Sequence, residues 1–307
     1  MVASRLLENT FAHPGLGALF QRAPFFELHA QGRGVFFEWE KGGHVVASVH
    51  FTPMGSGLWR SPARGTYAGF ATAPGLHTDA LFEFHDAVVA RLGALGARRI
   101  EVLPAPMAHD PIAFSNQAYL FHARGYSVTQ CDLNHSLAVD AQPFEARMSY
   151  GNVKRLRKCR KEGIEAGTLP PEALPEVYAV LAANRASKGH AMSMTLSQLQ
   201  DMQARFPESM ALFGCRAGAE LAASALCLRV QPHVLYVFYW GDRPGYATLS
   251  PVVSVADAIY SYCQAEGIAQ IDAGTSTIDR EANHGLIQFK RGLGFSESLK
   301  VRMARDV

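Results

Sequence analysis

Toward the C-terminal end of the sequence, a carboxylate and a lysine stand where either could do chemistry. Asp272 closes the run Ile268-Ala-Gln-Ile-Asp272 and precedes Ala273-Gly-Thr-Ser276. A carboxylate at the C-terminal end of a strand lies where open α/β sheets bind ligands, so it can orient an amine or take its proton. The same position suits an Asx turn or the cap of the next segment. Lys290, in Phe289-Lys-Arg291, is either a donor to negative charge developing in a reaction or a solvated lysine beside Arg291. Ser276, Asn283, Phe289 and Arg291 are candidate substrate contacts around this pair.

A second concentration of chemistry is electrostatic. Lys154 to Lys161 holds six basic residues in eight. On a helix, Lys154, Arg157, Lys158 and Lys161 share a face, with Arg155 flanking Leu156. Such a stripe binds phosphates through Lys154, Arg155 and Lys158, or is a solvated face. No aromatic residues interleave it, as a single-strand nucleic-acid platform would require. Trp59 to Phe70 reads as a glycine-containing loop in which Arg64 and Tyr67 either contact substrate or lie on the surface. Tyr236, Phe238 and Trp240 alternate with Val237 and Tyr239 on one strand; Tyr239 faces a ligand or packs in the core.

Several chemistries are excluded. The twelve histidines form no metal set, and no H-E-x-x-H or Cys/His cluster occurs. There is no G-x-S-x-G elbow, P-loop or dinucleotide fingerprint. The five cysteines are scattered, with no C-x-x-C pair, which implies reduced thiols in a cytoplasmic protein; Cys263 falls in an apolar helical pattern and reads as core. A net charge of +2 gives no global pull toward nucleic acid or membrane, so any basic site is local. Hydrophobic content of 48% and charge of 18% describe a globular chain, and 307 residues suffice for two cores. Met1-Val-Ala-Ser-Arg5 leads into no long apolar run, so neither a signal peptide nor a membrane span is expected.

The elements that must position these residues occur twice, and the second copy is the better preserved. Gly43 to Phe51 reads as a strand with an Ala47-Ser48 step; Ala219 to Cys227 repeats it at Ala223-Ser224. A helix over 77–92 corresponds to one over 252–264. Each stops at a glycine followed by a strand, Leu95-Gly-Ala-Arg-Arg-Ile-Glu-Val102 against Glu266-Gly-Ile-Ala-Gln-Ile-Asp-Ala273. Asn116 to Gly125 then matches Asn283 to Gly292, which sets Lys290 opposite Ala123, and strands over 128–139 and 298–303 follow. Between the copies come the basic helix, a break at Pro170-Pro171, and helices over 172–186 and 196–206. The expected domains are 1–142 and 143–307.

The second copy then orders as a three-strand meander over 210–217, 220–231 and 233–240, a helix, a strand, a helix and a strand. This order resembles the GNAT acyltransferase fold: an α/β class with a mixed α+β sheet, here as two tandem GNAT-like domains. Within that superfamily the chain resembles the Fem-like branch. The resemblance rests on Asn152-Val-Lys-Arg-Leu-Arg-Lys-Cys-Arg-Lys-Glu-Gly163, Ile271-Asp-Ala-Gly274 and Gly285-Leu-Ile-Gln-Phe-Lys-Arg-Gly-Leu-Gly294, whose Phe289, Lys290 and Gly294 fit the branch's closing Phe-Lys-x-x-x-Gly stretch. It implies transfer of an acyl or aminoacyl group to a small-molecule or peptide amine. Lys290 would stabilise the oxyanion and Asp272 would serve the amine. Arg64 and Tyr67 would bind the acceptor in a cleft between the copies.

The donor stays open among acyl-CoA, an acyl-carrier thioester and aminoacyl-tRNA, with no tightly bound cofactor; tRNA is thus a possible partner, and the oligomeric state is not readable. CoA-dependent GNAT enzymes cradle pyrophosphate on backbone N–H groups at a helix N-terminus. The formal match Gln264-Ala-Glu-Gly-Ile-Ala269 sits at a helix's C-terminal end, where the dipole repels phosphate. The segment in the right place, Gly241 to Pro251, carries Pro244 and Pro251, which lack donors. The alternative function is a catalytically inactive pair that binds a peptide, nucleotide or partner protein.

Overall fold

Long apolar runs and capped amphipathic stretches become strands and helices in the expected order. The computed structural model describes residues 3–278 and 280–307; Met1 and Val2, at the head of the N-terminal run read above, and Asp279 lie outside the described residues. The chain forms two compact units, one of Met1–Leu133 with Ser298–Val307 and one of Asn134–Glu297.

The first unit begins with β1 (Ser4–Glu8), α1 (Ala23–Ala30), β2 (Val35–Lys41), β3 (His44–Gly55), β4 (Leu58–Ser61) and β5 (Ala71–Thr72). Helix α2 (Thr78–Ala94), β6 (Arg99–Val102), α3 (Pro111–Ala123) and β7 (Ser127–Ala138) follow. Asp110 caps α3 by accepting from the N–H groups of Ile112 and Ala113, with Pro111 at the first helical position. The sheet runs β1-β2-β3-β4-β6, with β4 and β6 parallel. Phe37, Val49, Phe84, Val88, Ile100 and Phe121 fill the core.

The second unit contains α4 (Tyr150–Lys161), β8 (Ala166–Leu169), α5 (Leu174–Ser187), α6 (Leu196–Arg205), β9 (Met210–Ala217), β10 (Glu220–Gln231) and β11 (Val234–Asp242). It continues with α7 (Val252–Ala265), β12 (Gln270–Thr275), the short pair β13 (Thr277–Ile278) and β14 (Glu281–Ala282), and α8 (His284–Gly292), before β15 (Ser296–Asp306). Its sheet runs β12-β11-β10-β9-β8, with only β11 and β12 parallel. β10 is buried from Leu221 to Leu228, as expected of a central strand covered on both faces.

The final strands are exchanged. In the first unit β6 pairs with Met303–Asp306 of β15. In the second, β12 pairs with Asn134–Ala138 of β7. A single cut at 142/143 therefore differs from the observed division, because ladder hydrogen bonds tie each closing strand to the other half of the sequence.

Backbone bonds fix the register of the repeat. Ala97 N–H donates to Leu92 and Ile268 N–H to Cys263, both at 2.9 Å, so Glu101 corresponds to Asp272, as the aligned strands predict. At the next helix end, Tyr126 N–H donates to Phe121 O and Phe295 N–H to Lys290 O. Gly125 and Gly294 follow the two helix ends with φ of 76° and 91°, a left-handed cap that favours glycine. Lys290 thus corresponds to Phe121 and not to Ala123: matching Asn116 with Asn283 placed the alignment two residues out, since Asn116 lies inside α3 while Asn283 caps α8.

Candidate active site

The site begins where two parallel strands part. β11 and β12 pair through Val234–Gln270, Leu235–Ile271 and Tyr236–Asp272, and no further. β11 runs on to Asp242, held on its other edge by β10. The wedge that opens beyond Tyr236 and Asp272 is a cavity of about 840 Å³, walled by 237–242 on one side and 273–275 on the other.

Asp272 explains why the strands part. It is 1% exposed, and its Oδ1 accepts from Gly274 N–H at 2.7 Å and Asn134 Nδ2 at 2.9 Å. The first bond is an Asx turn, so a carboxylate takes the N–H that a regular ladder would use. Gly274 has φ of 71°, and a Cβ there would lie 3.4 Å from the Tyr236 ring. The turn directs two successive carbonyls inward. Lys290 Nζ donates to Gly274 O and to Thr275 O, each at 2.9 Å. Asp272 does not line the cavity, so its geometry is that of a positioning residue for the turn rather than a base in contact with an amine.

Lys290 lines the cavity yet is 1% exposed. Burial pushes its ammonium down to about 7, against the opposing pull of Asp272. Its helix starts at Asn283, whose Oδ1 accepts from Leu286 N–H at 3.0 Å. Asn283, Phe289 and Tyr239 also line the cavity. Tyr239 is hydrogen-bonded to Ser193, and burial raises its phenol. Ser276 is buried against His135 Nδ1 at 3.1 Å; burial, then the nearby Lys290 charge, lowers that imidazole to about 4. Arg291 points elsewhere, into an ion pair with Glu297.

A smaller pocket of about 420 Å³ shares Asp242, Val252 and Phe289 with the first and is also lined by Ser149, Asn152 and Arg155. Arg155 donates to Asn152 Oδ1 at 2.7 Å. The basic stripe of α4 divides: Arg157 and Arg160 pair with Glu145, while Lys154 lies over the Tyr150 ring and Lys158 reaches Thr248 O at 3.5 Å. The 241–251 loop uses its own donors. The N–H groups of Arg243, Tyr246, Leu249 and Ser250 all bond to backbone carbonyls, so a phosphate would find few there. Gln264 lies in the last turn of α7 and donates to Asp140 O and Gln142 O, which agrees with its exclusion as a phosphate loop.

In the first unit Tyr67 is buried against Phe20 and His109. Arg64 lines a separate concavity of that unit with His29 and Arg33. Sequence reasoning missed Asn134 and His135, which read as residues of the first copy, and the cavity wall formed by Asn184, Arg185 and Lys188. Among the described residues, no group of three or more His, Cys, Asp or Glu is placed to hold a metal ion, and no helix is long and apolar enough to cross a membrane.

A parallel strand pair that splays over a buried lysine, behind an antiparallel meander, is the arrangement of the GNAT fold. Residues 151–291 match the family model described as Acetyltransferase (GNAT) domain. Over nearly its whole length the chain is similar in fold to solved Fem and tandem GNAT structures. A crystal structure of FemX is similar with a TM-score of 0.74 at 13% identity, covering 96% of this chain and 94% of that one. The C-terminal domain of a putative lysylphosphatidylglycerol synthetase from Agrobacterium fabrum is similar at 0.59 and 11%, covering 84% and 81%. A tandem GNAT protein from the clavulanic acid biosynthesis pathway is similar at 0.55 and 14%, covering 89% and 82%. No match is found among curated proteins.

Proposed function

We propose that the chain is a cytoplasmic N-acyltransferase whose chemistry takes place in the wedge between β11 and β12. The carrying observation is Lys290, a buried lysine presented to the cavity by the Gly274 and Thr275 carbonyls. The acyl carbonyl of the donor enters beside the part of β11 that β12 has left, where backbone N–H groups facing the wedge can donate. The amine nitrogen attacks that carbonyl. Lys290 Nζ and the strand's N–H groups stabilise the oxyanion, and collapse releases the donor's thiol or hydroxyl, which takes the amine's proton. Asp272 holds the turn, and Ser276 with His135 holds the segment after it.

Acyl-CoA is the co-substrate that GNAT enzymes use, and an acyl-carrier thioester or aminoacyl-tRNA would present the same carbonyl. With the N–H groups of Arg243, Tyr246, Leu249 and Ser250 already bonded in the 241–251 loop, the phosphates of the donor are read by α4, through Lys154, Arg155 and Lys158. Incubating the protein with acyl-CoA, acyl-carrier thioester and aminoacyl-tRNA donors and a pool of amines tests this reading. Transfer from at least one is expected; none from any of the three sinks it. Protection from thermal unfolding by each donor ranks them, since a ligand of the native state stabilises it.

A further inference from the structure

We infer that the amine acceptor carries a carboxylate, which Arg185 and Lys188 read at the wall of the same cavity. The inference rests on the acyltransfer reading above and names its acceptor class. Both side chains, at the C-terminal end of α5, line the cavity that Lys290 lines. The arginine is held in place at one edge. Its Nε donates to Ala191 O at 2.8 Å, and its guanidinium lies 5.8 Å from the centre of the Tyr239 ring. Its remaining N–H groups have no hydrogen-bond or ion-pair partner among the described residues.

That sets Arg185 apart from arginines elsewhere in the unit: Arg216 pairs with Glu176, and Arg160 with Glu145 and Asp257. Lys188 donates to Asn184 Oδ1 at 3.0 Å, and no carboxylate lies within ion-pair reach of it among the described residues. Among the described residues the one acid on the cavity wall is Asp242, and it is engaged by Asn184 Nδ2 at 2.9 Å. Among the described residues, the wall therefore presents Arg185 and Lys188, in addition to Lys290, against one carboxylate that is already bonded. A guanidinium fork held at one edge matches a planar carboxylate.

The charge fits the acceptor rather than the donor. Arg155, one of the α4 residues proposed to read the donor's phosphates, lines the neighbouring pocket, and neither Arg185 nor Lys188 lines it. A cavity of about 840 Å³ has room for an acyl arm and an amine the size of an amino acid or dipeptide.

The test uses L-alanine, L-alaninamide, Ala-Ala and Ala-Ala-amide as acceptors, with rates compared per free amine. Acids are expected to exceed their amides in kcat/KM by about 10- to 100-fold, mainly through KM, the range of a charge-assisted hydrogen bond. Arg185→Gln should abolish the preference, Arg185→Lys should restore part of it, and Lys188→Gln should weaken it. Rates with the amides should fall far less than those with the acids. Equal rates for acid and amide, or a preference that survives Arg185→Gln, overturns the inference. Calorimetric binding of the same four compounds to Lys290→Ala separates the two readings. Acid-selective binding that needs Arg185, without turnover in the unmodified protein, would leave the carboxylate site standing and remove the acyltransfer reading. Turnover without acid selectivity would do the reverse, and neither would remove both.

Discussion

Phe121 in the first unit and Lys290 in the second hold the same place on corresponding helices, and both are buried. Around them, corresponding strands behave differently. In the first unit Leu103, which corresponds to Gly274, sends its N–H to Ser61 O at 2.9 Å, so β4 and β6 stay joined. Ala68 then bridges to Pro104, and Tyr67 before it is buried against Phe20 and His109. In the second unit the Asp272 carboxylate captures the Gly274 N–H, and the strands part. Glu101, which corresponds to Asp272, is one methylene longer and pairs at 2.7 Å with Arg60, which corresponds to Tyr236. One copy closed its wedge with its own chain. The other left it open over a lysine.

The sharpest way to break this comparison is to exchange the two helical residues. Lys290→Met removes the cation and should lower kcat by roughly 100- to 1,000-fold, the range for loss of an oxyanion donor, with the fold retained by circular dichroism. Phe121→Lys should leave no new activity and should destabilise the protein by about 3–5 kcal/mol, because no pair of inward carbonyls awaits a charge there. Near-full turnover in Lys290→Met would remove the lysine from the chemistry.

The next effect is at the turn. Asp272→Ala leaves Gly274 N–H and the Asn134 amide without the oxygen they share, a loss of about 1–3 kcal/mol for each buried orphan. Activity should fall by about 10- to 100-fold as the two carbonyls lose their aim at Lys290. Asp272→Asn keeps an acceptor for Gly274 N–H and should keep most of the stability, measured by denaturant unfolding. Equal losses in both variants would mean that charge, not the turn, is what matters.

The sequence carried the element order, the repeat and the lysine, because hydrophobic period, glycine stops and the Phe289-Lys290 stretch are local signals. It also offered the Asx turn as one reading of Asp272. It could not carry what depends on chain-distant pairing. Asn134 and His135 serve the second unit only because β7 pairs with β12, a ladder between segments more than a hundred residues apart. Arg185 and Lys188 look like ordinary residues at the end of a helix until that end meets the wall of the wedge. Tyr67 reads as a loop residue, and its burial follows from the closed wedge of the first unit, which no local pattern announces.

The Lys290 ammonium offers a gentler probe. Burial places its titration at about 7, far below an exposed lysine. As a cationic donor it should lose function as pH rises through about 7, so kcat should fall on the alkaline side. In Asp272→Asn, which lacks the charge that raises Lys290, the fall should move to lower pH. A rate that climbs through this range would assign Lys290 the role of base. The stability sign is separate. Between about 7 and the 10.5 of an exposed lysine, the unfolded chain binds the proton that the folded one has lost, so this group's contribution to stability should rise with pH in that window. Lys290→Met should flatten that contribution, and Phe121, at the corresponding place in the first unit, has no group to titrate.

The smallest effect separates the donors. Lys154, Arg155 and Lys158 belong to the second unit's α4, and the sequence between β1 and β7 in the first unit offers no stripe like it. If the donor is aminoacyl-tRNA, several phosphates are neutralised together, and affinity should fall steeply with salt, log affinity scaling by about −0.7 to −0.9 per phosphate contact. Lys154→Gln and Lys158→Gln should each then reduce the slope by about one contact. With a small thioester the slope should be shallow, and each substitution should raise the donor KM only about two- to five-fold, as expected of an exposed charge screened by solvent. A steep slope that both substitutions leave untouched would place the donor's phosphates away from α4 and return the 241–251 loop as their site.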